Sequence, residues 1–120
     1  MGLDLNRDRL CLLQLSNGDG NAYLIQFSRN NYDAPNLKNL LLDKNREKIF
    51  HFARFDLAVI KKYLGIELSN IFCTKIASIL VRTYTEYHGL KDLCRELLGI
   101  NISKQQQSSY WGARELSEEQ

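Results

Sequence analysis

The chain has 120 residues, enough for one domain with a real core and too few for several. It is 44% hydrophobic and 25% charged, without repeats or low-complexity runs, which excludes disordered and fibrous classes. A net charge of +2 does not announce a nucleic-acid binder by bulk charge, although a local basic face can still serve, and no apolar run is long enough to span a membrane.

In chain order, the Met1-Gly2 start lacks the apolar run of a signal peptide, and Asn6 stands where an acylation signal needs Ser or Thr. Residues 10–15 are apolar on both faces apart from Gln14, which predicts a strand covered on both sides in a sheet flanked by helices. Asn17-Gly-Asp-Gly20 is a hairpin turn, with a return strand over 22–27 and a loop over 29–33. Pro35 opens a short helix whose buried stripe is Leu37, Leu40 and Leu41. Residues 48–52 read as a strand that runs directly into an amphipathic helix. That helix turns Leu57, Val59, Ile60, Tyr63 and Leu64 to one side, with Lys61 and Lys62 off it, and Gly65 stops it.

A short strand over 71–73 follows, and Thr74 is expected to cap a helix with the stripe Ile76, Ile79, Leu80 and Thr83. Residues 82–87 lead through a turn into a helix over 90–98, with the stripe Leu90, Leu93, Cys94 and Leu97, ended by Gly99. Residues 101–112 are polar and irregular, with Trp111 as the expected anchor, and Ser117 with Gln120 forms a capping box. Cys11, Cys73 and Cys94 are odd in number and scattered, which points to reduced thiols and a cytoplasmic setting.

Asp56 lies in the middle of the apolar arc of its helix. A carboxylate there costs on the order of several kcal/mol unless a cation or hydrogen bonds compensate. Two readings stand: a functional acid, or a residue favoured by the positive end of the helix.

His51-Phe-Ala-Arg-Phe-Asp56 resembles the second motif of the DEDD 3′–5′ exonucleases, and more narrowly of the ribonuclease D group. Further similar stretches run in order: Arg7-Asp-Arg-Leu-Cys-Leu-Leu-Gln-Leu-Ser16, Cys73-Thr-Lys-Ile-Ala-Ser78, Arg82-Thr-Tyr-Thr85, His88-Gly-Leu-Lys-Asp-Leu93 and Ser103-Lys-Gln-Gln-Gln-Ser-Ser-Tyr-Trp-Gly112. The resemblance covers nearly the whole chain. It implies an α/β fold, a ribonuclease H-like mixed sheet flanked by helices, with residues 1–120 as a partial 3′–5′ exonuclease domain. It also implies that Asp56 is one of four acidic residues holding two divalent metals, Mg2+ or Mn2+.

The family places an Asp-x-Glu pair on a strand just before the position of Gly2-Leu3. It places a Tyr, then an Asp four residues on, in the helix announced at Ser117. The resemblance therefore predicts that the central first strand and the last helix are missing. Their absence would leave apolar strand edges open to self-association or to a complementing fragment. Asp4, Asp8 and Glu118 are poor substitutes: the first two fall in a solvated loop, and Glu118 suits the first turn of a helix.

By the same resemblance, His51 is a catalytic or substrate-positioning residue, or else a hydrogen-bonded histidine at a strand end. Arg54 and Lys75 lie near the expected rim, where they meet phosphates or merely solvent. Lys104 and Gln107 fall in a region that borders a single-strand channel, or form a plain polar loop. His88 is expected to be structural. Tyr84, Tyr87 and Trp111 fit core packing better than base stacking. Tyr110 stands where the family has an Asp. The expected activity is metal-dependent hydrolysis of RNA 3′ ends or single-stranded DNA. The alternative is a non-catalytic remnant or split-enzyme fragment that binds nucleic acid weakly, since one carboxylate cannot place two magnesium ions.

Overall fold

The structure, a computed structural model, describes residues 4–29, 31–107, 109 and 111–120. The expectations that concern Met1-Gly2, the register of Gly2-Leu3 and the substitution at Tyr110 lie outside these residues. Two compact units form, one from Met1–Asp33 with Lys104–Gln120, the other from Ala34–Ser103. None of the described helices is long and apolar enough to cross a membrane.

In the first unit, β1 (Leu12–Leu15) pairs antiparallel with β2 (Tyr23–Gln26), with Leu12 opposite Gln26 and Leu15 opposite Tyr23. The turn between them works as its sequence dictates. Gly18 and Gly20 sit at φ +86° and +85°, and the Asn17 and Asp19 side chains accept the N–H groups of Asp19 and Asn21. Leu10, Cys11 and Phe27 are buried just outside the paired residues. The Phe27 and Tyr32 rings lie 5.3 Å apart, and the Tyr32 hydroxyl donates to the Leu10 carbonyl at 2.8 Å.

The ribbon is shorter than expected and is not covered on both faces. Leu12, Leu13 and Leu15 are half-buried, Gln14 is exposed, and Tyr23 and Leu24 stand open, because a two-stranded ribbon has too few neighbours to shield both sides. Trp111 anchors the later segment as expected: it is half-buried, lines a cleft with Cys11, Leu12 and Gln14, and donates its indole N–H to the Gln106 carbonyl. Half of the capping box is present, since the Ser117 N–H donates to the Gln120 side-chain oxygen at 2.9 Å, although residues 118–119 form a turn.

The second unit opens with α1 (Pro35–Leu42), which has Pro at its first turn and buries Leu37 and Leu41. Then β3 (Lys48–Phe50), α2 (Ala53–Leu64) and β4 (Ile71–Cys73) form a parallel βαβ unit, with Lys48 opposite Ile71 and Phe50 opposite Cys73. The strand ends at Phe50 rather than at residue 52. Only His51 and Phe52 join it to α2, and the chain reverses by putting Phe52 in the left-handed region, φ 62° and ψ 54°. For a bulky residue that conformation costs about 1–3 kcal/mol. Burial of Ala53, Val59, Ile60 and Leu64 against the core offsets it, and Gly65 at φ +70° closes the helix.

α3 (Thr74–Val81) overturns the expected stripe. Ile76, Ile79, Leu80 and Thr83 are exposed, whereas Ser78 and Arg82 are buried. The reason is a polar network. Arg82 donates to the Ser78 hydroxyl at 2.9 Å and to the Tyr87 carbonyl at 2.8 Å, and pairs with Glu96, so its guanidinium is satisfied away from water. Thr74 is the first helical residue, not the cap. Its hydroxyl donates to the Phe50 carbonyl at 3.1 Å and ties α3 to β3.

α4 (Leu90–Leu93) buries Leu93 and continues as a π-helical turn (Cys94–Leu98), ended by Gly99 at φ +67°. Leu90 and Leu97 of the expected stripe are exposed, and at Leu97 the register shift of the π-turn breaks the 3.6-residue face. Tyr84 and Tyr87 are likewise exposed rather than packed in a core. The α/β class stands, with one antiparallel and one parallel pair. β1 pairs only with β2 and β3 only with β4 among the described residues, so every strand keeps an open edge.

Candidate active site

Asp56 lies in the first turn of α2, half-buried. Burial raises its carboxyl above the usual range, and among the described residues no cation or hydrogen-bond donor offsets that. It is thus a carboxylate held partly out of water without a counter-charge, the state expected of a ligand for a hard cation. Among the described residues no group of three or more His, Cys, Asp or Glu side chains is placed to hold a metal ion. Asp56 therefore fits a divalent cation as a single donor, and the rest of a two-ion donor set is not found among these residues.

His51 sits between β3 and α2, half-buried, with its Nδ1 2.9 Å from the Thr74 hydroxyl. Burial pushes the imidazole below its ordinary value, and the nearby Lys75 charge adds to this, against a backbone hydrogen bond at His88. The ring is therefore neutral near pH 7. Lys75, at the start of α3, places its ammonium 4.2 Å from the centre of the Phe52 ring. The parallel βαβ unit thus brings His51, Phe52, Thr74 and Lys75 together at the ends of β3 and β4, with Asp56 one turn into α2.

Arg54, in the first turn of α2, is exposed and free to meet an anion. Lys104 and Gln107 belong to the first unit, where they bracket an exposed turn closed by the Gln107 N–H donating to the Lys104 carbonyl at 3.1 Å. His88, expected to be structural, has its Nδ1 2.7 Å from the Ser78 hydroxyl, which also accepts from Arg82. Asp4 and Asp8 lie in a loop as expected. The Asp8 carboxylate is gripped by Arg7, and that pairing holds it down at about 2.

Three features escaped the sequence reading. Strand propensity places Phe52 in the strand, and no residue type in the sequence signals the reversal that the two-residue connection imposes. Cys73 receives the first free N–H of α2, from Ala53, at 3.4 Å. Burial raises its thiol, but N–H groups of Ala53, Ile76, Lys75 and Phe52 outweigh this and leave it below its ordinary value. The Arg82–Glu96 pair had no sequence signal beyond the presence of both charges.

A family model described as 3′–5′ exonuclease matches residues 1–120. A ribonuclease D from Gluconacetobacter diazotrophicus is 33% identical over 111 residues, covering 92% of this chain and 28% of the relative. Brucella melitensis NrnC bound to pGG superposes with a TM-score of 0.93 at 55% identity, covering 99% of this chain and 57% of that one. The same nuclease with bound Mg2+ gives 0.91 at 52% identity, covering 98% of this chain and 57% of that one. Escherichia coli RNase D, an exoribonuclease involved in structured RNA processing, gives 0.76 at 26% identity, covering 94% of this chain and 31% of that one. The chain therefore spans less than two thirds of the length of each of these relatives.

Proposed function

Because this chain belongs to the 3′–5′ exonuclease family, in its ribonuclease D-like branch, we propose that it is part of a metal-dependent nuclease that removes nucleotides from the 3′ end of RNA or single-stranded DNA. The observation that carries this reading is Asp56, a half-buried carboxylate without a counter-charge in the first turn of α2. Two divalent cations would supply such a reaction with an activated water and a stabilised leaving oxygen. Asp56 is one ligand for such an ion, Mg2+ or Mn2+, in keeping with the Mg2+-bound relative. His51, neutral and fixed by Thr74, orients the substrate next to the scissile phosphate. Arg54 and Lys75 take backbone phosphates at this site. In the other unit, taken by itself, Lys104 and Gln107 offer polar contacts to nucleic acid. The free thiols of Cys11, Cys73 and Cys94 suit a reducing, cytoplasmic setting.

Asp56 stands without further metal donors among the described residues, which favours a second reading for the chain by itself: a segment that binds nucleic acid weakly and needs carboxylates from elsewhere for hydrolysis. One experiment tests the catalytic reading. The chain replaces the matching part of Brucella NrnC, and the chimera is given a 5′-labelled RNA with Mn2+. The expected outcome is stepwise shortening from the 3′ end, abolished by a chelator and by Asp56→Ala. A folded chimera that leaves the RNA intact, or an Asp56→Ala chimera that still shortens it, would refute the catalytic reading.

A further inference from the structure

Phe52 combines three properties that packing does not explain. It is an aromatic residue in the left-handed region, a conformation that Gly or Asn adopts far more readily. Despite that strain the residue is 47% exposed, so its own side chain contributes little burial in return, and α2 alone offsets the strain. The ring is also oriented. It lies parallel to Phe55, centroids 6.4 Å apart and planes within 5°, and carries the Lys75 ammonium 4.2 Å above its centre. Strained, exposed and fixed in direction, it is placed like a ligand platform rather than a core residue.

We infer that Phe52 is a base-stacking platform, and that Lys75 occupies its face until a nucleotide arrives. The incoming base takes the ring face, and the displaced ammonium turns to the phosphate of the same nucleotide. The two contacts match a nucleotide in both of its parts, a planar base on a planar ring and an anion beside a cation. Phe52 directly precedes α2, so the nucleotide is held one helical turn from Asp56. This inference rests on the nuclease reading above and adds the group that would seat a base.

Equilibrium dialysis of the full chain against guanosine 5′-monophosphate and against ribose 5-phosphate tests it, since only the first has a base. The wild-type chain is expected to bind the nucleotide about tenfold or more tightly than the sugar phosphate. Phe52→Asn, which suits the left-handed backbone, is expected to fold at least as stably and to lose that preference. Phe52→Trp is expected to keep it, and Lys75→Met to weaken both ligands together. A Phe52→Asn chain that still prefers the nucleotide overturns the inference, as does a wild-type chain that binds both ligands equally. In the second case the nuclease reading survives if the chimera shortens RNA. If the chimera also fails, both fall.

Discussion

At the scale of single residues, the cost of Asp56 to the fold is the measurable consequence of its role. Its carboxyl is raised by burial in the folded chain, so the folded state holds the proton more tightly than the unfolded state does. The charged form is therefore a penalty. It is present in full above the raised folded pKa and relieved as the pH falls towards the ordinary value of 3.8. Asp56→Asn removes the charge while keeping the shape, and is expected to stabilise the metal-free chain at pH 7 by on the order of 1 kcal/mol. The gain should vanish near pH 3.5, where the wild-type carboxyl is itself protonated. Thermal melts at the two pH values check this. An Asn variant less stable than wild type at pH 7 would mean that the carboxylate has a favourable partner. The sequence exposed this residue because an acid in the middle of an apolar arc is an anomaly of pattern. It hid Phe52, because strand propensity says nothing about the reversal that a two-residue connection imposes.

At the scale of elements, α3 shows why hydrophobic periodicity can point to the wrong face. Ile76, Ile79 and Leu80 share a helical side, yet the side turned inward carries Ser78 and leads to Arg82. Arg82 donates to three acceptor atoms, the Ser78 hydroxyl, the Tyr87 carbonyl and Glu96 Oε2, and the Tyr84 hydroxyl donates to Glu96 Oε1 at 2.7 Å. The Tyr84 hydroxyl, and against burial the Arg82 guanidinium, hold the Glu96 carboxyl below its ordinary range. This network joins the end of α3 to the π-turn. Arg82→Met leaves Ser78, Tyr87 and Glu96 without their donor and is expected to lower Tm by roughly 5–10 °C. Glu96→Gln, which keeps a neutral acceptor, is expected to cost clearly less. Equal losses in the two variants would show that the charge of Glu96, not the hydrogen bonding of Arg82, holds the elements together. Turn and stop signals such as Asn17-Gly-Asp-Gly20, Pro35, Gly65 and Gly99 were legible, since each acts through its own backbone. The face of α3 was not, since it depends on partners distant in sequence.

At the scale of the whole molecule, the same inversion leaves apolar surface without a partner. Leu80 and Val81 are 73% and 77% exposed, and Leu97 and Leu98 on the π-turn are 64% and 66% exposed. All four strands have an open edge among the described residues. Exposed apolar side chains in such number favour association, because each large aliphatic group removed from water contributes about 1.5–3 kcal/mol. The chain alone is therefore expected to sediment above monomer mass at tens of micromolar. Two sources of that association are separable. If α3 drives it, Leu80→Lys combined with Val81→Glu restores the monomer, with little change in Tm since neither side chain is buried. If open strand edges drive it, the double variant still associates, and thioflavin binding rises as β-pairing accumulates between chains. Ile76, Ile79, Leu80 and Val81 of α3 are all exposed, whereas the strands are only three or four residues long, which limits edge pairing to a few hydrogen bonds. The first outcome is therefore the expected one, and sedimentation velocity on the two chains decides it.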